Sequence, residues 1–135
     1  MSTDVKYGFQ ATVNSGFDDT VASVTSALKA EGFGILTEIN MQATLKAKLD
    51  VDIEKYMILG ACNPPLANQA LQLEQTIGLL LPCNVIVYQK EASEQTQVAI
   101  LDPGLMVQLT ENDALKDIAD DARARLERVM QAIQS

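Results

Sequence analysis

Two cysteines, Cys62 and Cys83, are the residues of this chain best suited to chemistry, and no histidine accompanies them. That absence removes the commonest general base and the commonest metal ligand. Ser-His-Asp and Cys-His mechanisms and the His-containing zinc motifs are therefore excluded. Cys62 immediately precedes Asn63-Pro64, a pair suited to start a helix. Backbone N–H groups and the helix dipole at such a start favour a thiolate, which makes Cys62 the candidate catalytic residue. No lysine or arginine lies near it in sequence to assist. The ordinary alternative is a buried, inert thiol.

Cys83 follows Pro82, twenty-one positions after Cys62. That spacing is neither a C-x-x-C redox motif nor a zinc knuckle. If the segment between the thiols makes a simple crossover, they lie at opposite ends of a sheet, too far apart for a disulfide within one subunit. A long loop over Gln75–Pro82 would bring them back together, or they would meet across a dimer axis. Cys62 and Cys83 are also the candidate ligands for a soft metal such as Cu(I), with a carboxylate or Met57 completing the set.

From Tyr56 to Gln89 the only charged residue is Glu74, and this span holds both cysteines and three of the four prolines. One reading is the middle of the core. The other is a pocket or subunit interface with apolar walls and a few polar groups. Cys62, Asn63, Pro64, Cys83 and Asn84 are its candidate ligand-binding residues. Gly32-Phe33-Gly34 is not a phosphate loop, because it lacks a lysine and follows a helix instead of opening one. Asp18-Asp19 and Asp120-Asp121 read as helix-end or solvated charges, not as a general acid/base pair.

The elements that must position these groups follow from periodicity. Val5 to Val13 alternates at period two and predicts a half-buried strand. Ser15 and Asp18 resemble a capping box for a helix carrying Val21, Val24 and Leu28, which Gly32 closes. Gly34–Ile39 is a second strand, and Asn40 caps a short helix with Met41, Leu45 and Leu49 on one face. Strands are expected at Tyr56–Cys62, Cys83–Gln89 and Thr96–Leu101, the last two joined as a hairpin by the polar turn Lys90–Gln95. A helix carrying Leu66, Ala67, Ala70 and Leu71 follows Pro64. Leu105–Leu109 reads as a short strand or an extended lead-in. Thr110 and Asp113 cap a final helix with the stripe Leu115, Ile118, Ala122, Leu126, Val129 and Ile133, a core face or a dimer seam. The order predicts one α+β domain over residues 1–135. It is a two-layer sandwich, with about five mostly antiparallel strands and helices packed on one face.

The 135 residues suit a single domain, and at 47% hydrophobic the chain can bury a core. Its 18 acidic residues against 10 basic, a net charge of −8, argue against a nucleic-acid partner. No apolar run reaches the ~18 residues needed to span a membrane. The start Met1-Ser2-Thr3-Asp4-Val5-Lys6 lacks the basic and apolar regions of a secretory signal, so a cytoplasmic setting with reduced thiols is expected.

Cys62-Asn63-Pro64-Pro65-Leu66-Ala67 with Ala70-Leu71, and Ile77-Gly78-Leu79-Leu80-Leu81-Pro82-Cys83-Asn84-Val85-Ile86-Val87, carry a resemblance. So do Gly32–Ile39 and Asp102-Pro103. The chain resembles, from about Tyr7 to Ile133, the family catalogued as domain of unknown function 302. The resemblance implies a small bacterial or archaeal α+β protein that forms a homodimer. It implies no activity and names no cofactor. Its matching segments are the Cys62–Ala67 turn and the Leu79–Asn84 approach loop. The leading expectation is a dimeric binding module holding a small ligand or soft metal near Cys62 and Cys83. Against it stand a thiol-based redox or catalytic protein using Cys62, and a purely structural dimer. The structural reading expects Leu79→Ala or Leu80→Ala to cost stability.

Overall fold

The structure is a computed structural model that describes residues 2–90 and 92–134, with residues 2–5 described by their backbone. Glu91, in the expected Lys90–Gln95 turn, lies outside the described residues, as does the side chain of Val5. Along the chain run β1 (Ser2–Val5), β2 (Gly8–Val13), α1 (Phe17–Ala30), β3 (Gly34–Asn40), α2 (Met41–Leu49) and β4 (Lys55–Cys62). After these come α3 (Pro64–Leu73), a 3-10 turn (Gln75–Leu80), β5 (Cys83–Gln89) and β6 (Thr96–Leu101). The chain ends in α4 (Leu105–Thr110), a second 3-10 turn (Asp113–Leu115) and α5 (Lys116–Gln134).

The strands form one sheet in the order β1-β2-β6-β5-β4-β3, and every neighbouring pair is antiparallel. The α+β class and the antiparallel sheet are as expected. The sixth strand arises because the predicted Val5–Val13 strand is a hairpin. Val5 pairs with Gly8 around Lys6-Tyr7, which leaves Tyr7 exposed in the turn. Gly8–Val13 has the buried alternation that anchors a strand, with Phe9, Ala11 and Val13 inward.

Register explains the core. Leu59 lies opposite Val85, Val85 opposite Ile100, and Ile100 opposite Phe9, giving one apolar row across four strands. Met57, Val87, Val98 and Ala11 make the next row. Val24 and Leu28 of α1 are buried with these rows, as are Leu126, Val129 and Ile133 of α5. Each fully buried side chain of this size contributes about 1.5–3 kcal/mol. The opposite face carries polar and aromatic groups. Gln10 donates to the Tyr88 hydroxyl at 2.7 Å, and the rings of Tyr56 and Tyr88 stack at 5.5 Å.

Helix ends follow local chemistry, with two differences from expectation. Gly16, not Ser15, is the N-cap of α1 and offers no side chain to it. The Ser15 hydroxyl is engaged instead with the Thr20 hydroxyl at 2.6 Å. The turn before α5 is capped by Asn112, whose side chain accepts from the Ala114 N–H, while Thr110 turns back to the Met106 carbonyl. At the end of α1, Phe33 N–H reaches the Leu28 carbonyl and Gly32 N–H the Lys29 carbonyl, a Schellman closure. Gly32 sits at φ +86°, where a side chain would be strained.

Candidate functional site

The candidate site grows from the junction of β4 and α3. Asn63 is extended, and its side-chain oxygen accepts from the Leu66 N–H at 3.2 Å, while Pro64 occupies the first helical position. Asn63 is only 7% exposed because the Gly32 turn of α1 lies against it, a Cβ there coming 3.0 Å from the Asn63 amide nitrogen. Arg125 of α5 donates to the Glu31 carbonyl at 3.0 Å and ties the same turn to the last helix.

Cys83 lies beside this junction. Its Cα partner across the ladder is Ala61, next to Cys62. The opposite-ends arrangement expected from a crossover is therefore wrong. β4 and β5 are antiparallel neighbours, so the connection through α3 leaves and re-enters at one end of the sheet. Being one residue out of register, the two side chains start from opposite faces of the sheet, and both thiols are free. The Leu81–Pro82 peptide leading into β5 is cis. Pro82 packs over Gly60, where a Cβ would lie 2.8 Å from the Pro82 ring and would collide with the Thr37 hydroxyl. Only glycine lets these two groups close over β4.

Around this junction lies a cavity of about 150 Å³. Phe33, Leu66, Leu81, Ile118 and Leu126 line it, and Ala61, Ala67, Ala70 and Ala122 give it room. Small residues from a strand and two helices thus face one space. Met106 and Leu109 of α4 form a further wall. Leu79, beside the lining residue Leu80, is 89% exposed.

The polar groups lining the cavity are Cys62, Asn63, Cys83 and Asp102. Cys83 directs its S–H to the Leu101 carbonyl at 3.8 Å. Burial pushes its thiol up to about 12, and the Asp102 charge adds to the effect. Asp102 accepts from the Gly104 N–H at 2.9 Å with one oxygen and pairs with Arg123 through the other. Arg123 in turn lies 5.3 Å from the centre of the Phe9 ring.

Of the residues singled out from the sequence, Cys62, Asn63 and Cys83 come together on this cavity. Pro64 and Asn84 do not line it. Both are exposed, Pro64 on the first turn of α3 and Asn84 opposite Gly60 on the outer side of the sheet. Among the described residues, no three or more His, Cys, Asp or Glu cluster as a metal site would require. Sequence reasoning missed the wall supplied by Asp102 and α4. Leu105–Leu109 is helical, not extended, and Leu105, Met106 and Leu109 recur at helical spacing. That spacing was the available signal.

A model of the family described as Domain of unknown function DUF302 matches residues 9–133. No curated protein matches the chain. Among solved structures, the chain is similar to an uncharacterized conserved DUF302 protein from Bacillus stearothermophilus, at 29% identity and a TM-score of 0.86. That match covers 96% of this chain and 99% of the other. No described helix is long and apolar enough to cross a membrane.

Proposed function

The chain belongs to the DUF302 family, and from that premise we propose that it is a homodimeric binding module holding a small ligand in the cavity beside Cys62 and Cys83. One observation carries this reading: the alanine-lined apolar space that the fold leaves unfilled at one end of the sheet. A fold that only needed a core would fill it with larger side chains. Leu36 and Ile39, exposed on edge strand β3, support the dimer, since a bare apolar edge strand invites pairing with another chain.

The thiol-enzyme and soft-metal readings draw less support. Burial raises the Cys83 thiol, which disfavours it as a nucleophile, and among the described residues no third His, Cys, Asp or Glu joins the two thiols in a metal-binding group. The chain also has no histidine to serve Cys62 as the base that nucleophilic catalysis most often calls on.

Native mass spectrometry of the protein as purified from cells tests the proposal. The expected result is a dimer carrying a bound mass that disappears when Ala122→Leu fills the cavity. A chain that is bare before and after that substitution overturns the binding reading, and a monomer overturns the dimer.

A further inference from the structure

We infer that the ligand is an uncharged small molecule presenting an aromatic ring, recognised by shape and by contact with sulfur. This rests on the binding-module reading and adds the chemical class of what is bound.

The inference starts from what the cavity lacks. Asn63 spends its oxygen on the helix cap, Cys83 its S–H on Leu101, and Asp102 both oxygens on Arg123 and Gly104. Among the described residues no buried side-chain nitrogen or oxygen is without a partner. A charged ligand would give up its water for a wall whose unengaged side-chain donors are the Asn63 amide N–H and the weak Cys62 S–H. An apolar one gives up nothing and covers bare aliphatic wall. Anions are disfavoured further, because the one carboxylate on the wall is Asp102, its charge offset by a single arginine.

Size and wall chemistry narrow the class. An apolar space of about 150 Å³ has room for a guest the size of benzene. Two of the lining residues that pack against the core, Cys83 and Met106, carry sulfur, and Phe33 adds a ring. Sulfur makes favourable contacts with aromatic ring edges, and rings pair with rings by offset or edge-to-face contact. A saturated ring of equal size gains only the burial.

Titration of the full-length protein with toluene, cyclohexane and benzoate, followed by the methyl resonance of Met106, tests this. Toluene is expected to give a saturable, ring-current-sized shift. Benzoate and cyclohexane should each bind at least about tenfold more weakly. Ala122→Leu and, independently, Ala67→Met should abolish the toluene shift, while exposed Leu79→Ala should keep it. Benzoate or cyclohexane binding as tightly as toluene overturns the ligand class. So does a co-purified mass that toluene fails to displace, and that outcome leaves the binding module standing. Absence of both a co-purified mass and a toluene shift overturns the module and the class together.

Discussion

The two ends of the β4–β5 pair are built from the same strands and do opposite things. At the Cys62 and Cys83 end, alanines and leucines line a small apolar space beside a buried cap. At the Lys55 and Gln89 end lies a wider depression of about 420 Å³ among Gln42, Asp52, Glu54, Lys55, Gln89 and Ser93. There, Gln42 donates to the Ile53 carbonyl at 3.1 Å and Gln89 to the Ser93 carbonyl at 2.7 Å. Lys46 pairs with Asp50 and Asp52 in the open. The larger hollow is lined by groups that prefer water, and the smaller one by groups that do not. On the proposed binding reading, wall chemistry more than volume sets the two ends apart. The helix caps show the same contrast: Asn40 caps α2 in solvent, whereas Asn63 caps α3 within the protein.

Ile77→Ala should produce the largest effect. Ile77 is fully buried in the turn between α3 and β5, and its truncation is expected to cost about 2–5 kcal/mol in urea unfolding. Leu79→Ala, two residues on, should stay within about 0.5 kcal/mol, because its side chain already meets water. This corrects the sequence expectation at Leu79 alone, since Leu80 packs against the core. Equal losses at Ile77 and Leu79 would mean that the turn is covered from outside.

The caps come next. Asn63→Ala should cost about 1–2 kcal/mol and Asn40→Ala about 0.5 kcal/mol, both by chemical denaturation. Burial makes the difference, since the freed Leu66 N–H has less access to water than the freed Ala43 N–H. Identical values would erase the contrast between the ends.

The smallest effect is in alkali. The Cys83 thiol is raised from an ordinary value of 9.0 to about 12. The unfolded chain therefore releases this proton first, and unfolding in this window releases a proton. The contribution of Cys83 to stability is complete below pH 9 and is lost as pH rises from about 9 through about 12. Wild type should lose stability more steeply than Cys83→Ala in that window, by on the order of 1 kcal/mol at pH 10. Parallel pH profiles for the two proteins would show that Cys83 is not held protonated by burial.

Much of this was legible in the chain. Asn63-Pro64 announces α3, the bounds of β5 and β6 match their apolar runs, and the α5 stripe from Leu115 to Ile133 is buried as read. The physical reason is that caps and periodic burial are local properties. What escaped depends on partners distant in sequence. Six-residue α4 is too short for its periodicity to stand out, and it packs beside the turn after α3 and against α5. The meeting of Cys62 and Cys83 depends on β5 pairing beside β4, and connection length does not state that. Ser15 had the composition of a cap, but Thr20 and Thr96 claimed its hydroxyl and its carbonyl.

The missing side chain at Gly60 reaches beyond its own strand. Thr37 belongs to the edge strand and Pro82 to the loop before β5, and the two meet over β4 only because that position is bare. Three positions far apart in the chain are thereby bound into one evolutionary unit. A descendant that acquires a side chain at Gly60 must shrink or move Thr37 and Pro82 in the same history. Across diverging relatives the three should change together or not at all, and drift at one would be visible as compensation at the others.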